Sequence, residues 1–317
     1  MVGFVSIHGS ESCYFGSEWT EDVKGLDLFS RMDLPELIAD YQCHNAESPI
    51  WHPLEKLLYW TDIPTGRLFR YDPATSSHKQ IYSGESVGGF TIQEDGSLLL
   101  FKERGAIERW SEGKVTTLIP EIPEECDSRF NDVIADPAGR VFCGTMPTPD
   151  RLGRLYRLNL DGSLSLILES VGMPNGMGFT PDRKQFYLSD SPNRVIYEFD
   201  YDQESGTLSN QRVCVTTPEA EGVPDGMTVD AEGYIWSGRW DGGHLFRYTP
   251  DGTEVLRIPF PAKKVSSVTF GGSDYTDIYV TTAGGDNRPT EGAGAGGIFR
   301  VNLGIQGVPE FLSRVAC

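Results

Sequence analysis

The residues of this 317-residue chain best placed to do chemistry are Asp225, in Pro224-Asp225-Gly226 ahead of Met227-Thr228-Val229, and Asn175, in Pro174-Asn175-Gly176 ahead of Met177-Gly178-Phe179. In both, a short side chain with an oxygen donor stands between a residue that fixes φ and one that lacks a Cβ. Weaker copies of the pattern occur at Glu47-Ser48-Pro49, Gly88-Gly89-Phe90, Asn131-Asp132-Val133 and Ser266-Ser267-Val268. Taken in order, Glu47, Gly88, Asn131, Asn175, Asp225 and Ser266 are spaced by 41, 43, 44, 50 and 41 residues. A single Asn or Asp before a strand is an ordinary turn residue. Four such groups at matched places in six units argue for convergence instead. Two carboxylates facing two amides are costly unless solvated or neutralised, and carboxylate and amide oxygens are the donors a hard divalent cation takes.

A period in the forties with strand-rich units is the mark of stacked or radial repeats. Within the first unit, Leu57-Leu58-Tyr59-Trp60 and Arg67-Leu68-Phe69-Arg70-Tyr71 are short strand candidates separated by Asp, Pro and Gly turns, which makes a meander. Later units repeat it at 140–144 and 153–158, 185–188 and 194–201, 234–238 and 244–248, and 277–282 and 297–301. Nothing has the periodicity of a long amphipathic helix, which disfavours βαβ folds. The prediction is an all-β, six-bladed propeller of four-stranded antiparallel blades, whose innermost strands line a central channel with the metal site at one mouth. Residues 36–43 form a strand that completes the last blade and closes the ring. Residues 1–31 are polar and aperiodic, an extension expected to be loosely ordered, and 32–317 form the one domain.

Composition narrows the function. A formal net charge of −19 argues against binding nucleic acid, where affinity comes largely from Lys and Arg on phosphates. No apolar run of the roughly 18 residues needed for a membrane span occurs, nor a basic-then-apolar leader. The six cysteines are scattered without C-x-x-C spacing, as in a cytoplasmic protein with free thiols. Five histidines form no metal-binding pair, so a cation here takes mainly oxygen ligands. Oligomeric state, monomer or dimer, is left open.

Two motifs are set aside. Gly84-Glu85-Ser86-Val87-Gly88 fits G-x-S-x-G, but a nucleophile elbow needs a helix after the turn, and a strand follows here. Gly292-Ala293-Gly294-Ala295-Gly296-Gly297 fits a dinucleotide fingerprint, yet it too precedes a strand.

Beyond these repeats the chain resembles the senescence marker protein-30, regucalcin and gluconolactonase family. The matching segments are Glu47-Ser48-Pro49-Ile50-Trp51, Arg129-Phe130-Asn131-Asp132, Asp136-Pro137-Ala138-Gly139-Arg140, Gly144-Thr145-Met146, Asn175-Gly176, Phe199-Asp200-Tyr201-Asp202, Pro224-Asp225-Gly226-Met227, Asp230-Ala231-Glu232-Gly233 and Gly296-Gly297-Ile298-Phe299. The resemblance implies a six-bladed propeller with one divalent cation (Ca²⁺, Zn²⁺, Mg²⁺ or Mn²⁺) on Glu47, Asn175 and Asp225, with Asn131 and Arg129 facing the substrate. Arg129 enters by the resemblance alone. One departure concerns substrate. A well-matched family member carries an acidic, substrate-binding residue three places after Gly-Thr-Met, where this chain has Pro149 followed by Asp150 in a shorter loop, so Asp150 is the candidate for that role. The implied function is hydrolysis of a sugar lactone, an aldonolactone of the gluconolactone kind, with Asp225 as general base as well as ligand. Two alternatives are a regucalcin-like cation-binding regulatory protein without turnover, and a propeller hydrolase of non-sugar lactones or phosphotriesters.

Overall fold

The structure, a computed structural model, describes residues 34–316. The expectations for residues 1–31, and for a domain beginning at Met32, lie outside the described residues. From Leu34 onward the chain forms six four-stranded antiparallel sheets.

Strand β1 (Glu36–Asp40) comes first, and five meanders follow. Blade 1 is β2 (Ala46–His52), β3 (Leu57–Asp62), β4 (Arg67–Asp72) and β5 (Ser77–Ser83). Blade 2 is β6 (Val87–Ile92), β7 (Leu98–Lys102), β8 (Ile107–Ser111) and β9 (Lys114–Ile119). Blade 3 is β10 (Phe130–Ala135), β11 (Val141–Thr145), β12 (Gly153–Leu158) and β13 (Leu164–Val171). Blade 4 is β14 (Pro174–Phe179), β15 (Gln185–Asp190), β16 (Val195–Asp202) and β17 (Thr207–Thr216). Blade 5 is β18 (Val223–Val229), β19 (Ile235–Trp240), β20 (His244–Tyr248) and β21 (Glu254–Pro259). Blade 6 is β22 (Val265–Gly271), β23 (Asp277–Thr282) and β24 (Gly297–Asn302), and its fourth strand is β1, paired antiparallel with β24.

The first strand of each blade touches the first strand of the next, and β2 touches β22, so these six strands form a closed inner ring. Burial falls outward. Strand β7 is buried at every position, whereas the outermost β5 and β9 are largely exposed. Between blades the sheets meet through aromatic rings, as expected for residues that bury the most area per side chain. Trp51 of blade 1 stacks on Tyr279 of blade 6 at 6.0 Å, and Phe142 of blade 3 lies 6.2 Å from Phe179 of blade 4. Asp-x-x-Gly turns join the first and second strands in blades 3 and 5. In blade 3 the Asp136 carboxylate accepts the Ala138 and Arg140 amides at 2.8 and 2.9 Å. In blade 5 that of Asp230 accepts those of Glu232 and Tyr234 at 3.0 and 2.9 Å.

After β24 the C-terminal segment runs from blade to blade. Gly307 bridges to Asp230, Ser313 bonds to Ile92, Arg314 to Gly139 and Ala316 to Leu160. Among the described residues no helix is long and apolar enough to cross a membrane.

The two set-aside motifs are accounted for by the fold. Ser86 is a buried hydroxyl without a hydrogen-bond partner among the described residues, and it leads into the strand β6. Gly292, Gly294 and Gly296 all have positive φ in the loop before β24.

Candidate active site

Each inner strand has a register break against its neighbour close to its beginning. The breaks fall between Glu47 and Ile50, Val87 and Gly89, Phe130 and Val133, Pro174 and Met177, Pro224 and Met227, and Val265 and Ser267. A bulge inserts a residue that the partner strand cannot match and turns side chains out of the regular alternation. In four of the six blades the polar residue at this break lines a common cavity.

Four of these residues meet. Glu47, Asn131, Asn175 and Asp225 all line one cavity of about 430 Å³, together with Arg129. All four bulge residues are nearly buried, at 6, 7, 7 and 4% exposed. The Asn175 amide group donates to the Asp225 carboxylate and, at 3.1 Å, to Ser191 Oγ. Its Oδ1 accepts no hydrogen bond among the described residues. Ser191 in turn donates to the Pro224 carbonyl at 2.7 Å, which ties blade 4 to the residue before Asp225. The Asn131 amide donates to the Pro174 carbonyl at 3.0 Å and leaves its Oδ1 to the Arg129 guanidinium, also at 3.0 Å.

Arg129 makes its other hydrogen bond to the Phe130 carbonyl at 2.8 Å. It forms no ion pair among the described residues, so the bland role of a partner to one of the many carboxylates is not the one it has. Burial lowers its pKa from the usual guanidinium range, partly offset by the charges of Glu47 and Glu103.

Glu47 and Asp225 are pushed in the opposite direction. Burial raises the Glu47 carboxyl well above its usual range, and the charges of Asp225 and Asp132 add to this, while the Ser48 N–H and Arg129 oppose it. Burial also raises Asp225 well above its usual range, helped by Asp132 and opposed by the Asn175 hydrogen bond, the Gly226 N–H and Arg239. Neither carboxylate has a salt-bridge partner among the described residues. Two such carboxylates and a free amide oxygen fit a divalent cation, which supplies the missing positive charge. Among the described residues no three of His, Cys, Asp and Glu cluster in this way; the set is two carboxylates and one amide.

The remaining positions of the six-unit pattern do not reach the cavity. Ser266 turns its hydroxyl to the Ala46 carbonyl at 2.6 Å and to Thr281 at 2.9 Å. A Cβ on Gly88 would come within 2.0 Å of the Phe130 carbonyl oxygen, so this strand start must pack flat against its neighbour. Asp150 is exposed in the Thr148–Arg151 turn and is not among the residues lining the cavity.

The repeat pattern does not single out Ser191, nor the apolar residues that line the cavity, Met146, Met173, Pro192, Val223 and Trp240. A signal for part of it exists. Ile63-Pro64, Met146-Pro147 and Ser191-Pro192 each follow the second strand of a blade, and that strand ends at the same mouth as the start of the first. Asp62 and Asp190, the last residues of β3 and β15, show the positional use of this end. Their carboxylates accept the Asn45 and Gly172 amides, each at 2.9 Å, and so fix the loops that lead to Glu47 and Asn175. Asn45, Arg129 and Trp240 also border a wider vestibule of about 610 Å³, where Lys264 Nζ lies 5.4 Å from the Trp240 ring centre.

Residues 45–284 match the family model described as SMP-30/Gluconolactonase/LRE-like region. The chain is similar to the pentonolactonase XacC of Haloferax volcanii, with 48% identity over 287 residues that cover 88% of this chain and 97% of that protein. It is 33% identical to the regucalcin of Gallus gallus over 290 residues, covering 87% and 97%. Among solved structures it is similar to a luciferin-regenerating enzyme, with a TM-score of 0.82, 26% identity, and 89% and 99% of the two chains covered.

Proposed function

Because this chain belongs to the SMP-30/gluconolactonase/LRE-like family, we propose that it is a divalent-cation-dependent sugar lactonase that opens an aldonolactone to the aldonic acid. Membership and the similarity to a pentonolactonase make it a lactone-hydrolysing enzyme. Within that class the relative's name favours a five-carbon lactone over the six-carbon gluconolactone kind. The observation that carries the reading is the meeting of Glu47, Asn175 and Asp225 with Arg129 and Asn131 around one cavity.

Glu47, Asn175 and Asp225 would hold the cation, which when bound supplies a Lewis acid for the lactone carbonyl. Asp225 acts as general base and takes a proton from the water whose oxygen attacks the carbonyl carbon. The bond from that carbon to the ring oxygen then breaks, and the ring oxygen leaves with a proton as the open-chain hydroxyl. Arg129, with a guanidinium that no carboxylate neutralises, donates to substrate oxygens. Asn131 is positioned by Pro174 and Arg129 to hold the water or a ring hydroxyl. Met146, Met173 and Trp240 cover the less polar face of a sugar ring, and a lining that mixes them with Arg129, Asn131 and the carboxylates suits a polyhydroxylated substrate better than a wholly apolar ester.

The test is acid release from pentono- and hexonolactones, with and without chelator. Hydrolysis should be lost on chelation and restored by added cation. Asp225→Ala should lower kcat by at least the 10²- to 10⁴-fold that a general base typically contributes. Retention of the full metal-dependent rate by Asp225→Ala would remove Asp225 from this role. Cation binding without hydrolysis of any lactone in the panel would favour a regulatory, regucalcin-like protein.

A further inference from the structure

A second cavity, of about 50 Å³, lies on the ring axis, because every one of the six inner strands contributes to its wall. Two carboxyls line it. Asp132 comes from β10, one residue beyond Asn131, and Glu310 comes from the C-terminal segment. Asp132 accepts the Val133 N–H at 2.8 Å, and Glu310 accepts the Thr228 hydroxyl at 3.3 Å. Neither forms an ion pair among the described residues, and the second oxygen of each accepts no hydrogen bond there. Ser267 lines the same cavity, is 5% exposed, and its hydroxyl makes no hydrogen bond among the described residues. Phe90, Met177, Met227 and Phe311 also contribute to the wall. Two half-buried carboxylates lining one small cavity repel each other unless a positive charge stands between them.

We propose that this axial cavity is a site for a second hard divalent cation of the calcium type, held by Asp132, Glu310 and the Ser267 hydroxyl. The two carboxylates match its charge. Oxygen-only donors from three separate elements suit Ca²⁺, which accepts irregular geometry, better than Mg²⁺ with its strict octahedron or Zn²⁺ with its preference for nitrogen and sulfur. The volume admits an ion with a water beside it, since a water occupies about 30 Å³. Such an ion joins the C-terminal segment to blades 3 and 6. It does not depend on the lactonase reading, as no group of the proposed mechanism serves as its ligand.

The experiment counts ions. Metal-free full-length protein is titrated with CaCl₂ in a calorimeter, and bound calcium is measured by atomic emission after desalting. Wild type should bind two ions per chain, and Glu310→Gln and Asp132→Asn one each. Glu310→Gln should keep kcat on its best lactone within about twofold, whereas Asp225→Asn should lose the mouth ion and activity but retain the axial ion. One ion in wild type that disappears in Asp225→Asn overturns the proposal. So do two ions in wild type that persist in Glu310→Gln and Asp132→Asn; the two carboxyls would then share a proton instead. If Glu310→Gln does not fold, Asp132→Asn and Ser267→Ala decide the question. A single ion lost in Glu310→Gln and kept in Asp225→Asn upholds the axial site while removing the cation from the mouth, so the two readings fail separately.

Discussion

Glu47 and Asp225 lie almost out of solvent, with no cation of the described residues in salt-bridge range, and burial raises both carboxyls well above the usual range. A cation binds only their ionised forms, so protons compete with it. The sign follows directly. Lowering the pH protonates groups with raised pKa values earlier than free carboxyls, and the cation is then released. Calcium affinity should therefore weaken as the pH falls, starting at a higher pH than for a site of free carboxylates, by up to about tenfold per pH unit for each proton displaced. Calorimetric titration at several pH values from 8 downward measures it, and an affinity that stays flat down to the range where free carboxylates titrate contradicts it. At this scale the sequence shows Glu47, Asn131, Asn175 and Asp225 because each sits at a matched place in the repeat. Arg129 lies outside the repeat and comes only from the resemblance. Ser191 is invisible to the pattern because its role depends on a hydrogen bond across to another blade, to the Pro224 carbonyl.

The inner strand is the element that makes the site. Its bulge brings the polar residue to the cavity, and in blades 4 and 5 the glycine after it, Gly176 or Gly226, lets the next strand come close. A Cβ on Gly176 would lie 2.4 Å from the Asp225 carbonyl oxygen and 2.4 Å from the Met227 nitrogen. Gly176→Ala should therefore move Asp225, not merely fill space. We expect about 1–3 kcal/mol of destabilisation from overpacking, together with a fall in cation affinity and kcat. Denaturant unfolding and a lactonase assay measure the two effects, and a stable variant with normal activity contradicts the expectation. The inner and middle strands were legible because they are buried and bounded by Gly, Pro and Asp turns. Strands β12, β20 and β23 occupy the predicted spans 153–158, 244–248 and 277–282. The outermost strands of blades 1 to 5 were not assigned from sequence. Ser77–Ser83 and Lys114–Ile119 are mostly exposed, so no alternation between core and solvent marks them.

For the whole molecule the decisive feature is closure. Strand β1 supplies the fourth strand of blade 6, as the sequence predicts, though it ends at Asp40 and not at residue 43. Its Ala39 is buried and belongs to one cluster with Trp51, Trp60, Phe69, Tyr71 and Tyr279, which joins blades 1 and 6. Ala39→Asp would place an unpaired charge there and should cost about 2–4 kcal/mol. Thermal unfolding should show it as a lowered midpoint at unchanged salt and protein concentration. An unaltered midpoint would mean that β1 contributes little to closure. The six-fold architecture was legible because its period recurs along the whole chain, while the course of the C-terminal segment was not, since it belongs to no repeat.

The inner ring also acts as a pair of callipers. Blades 1 and 4 stand diametrically opposite, and Glu47 and Asn175 reach from them toward a common point. The number of blades therefore sets the gap between these jaws as surely as the side chains do. A paralogue with one blade more or fewer, even with every side chain retained, would present the same donors at the wrong bore and lose the ion.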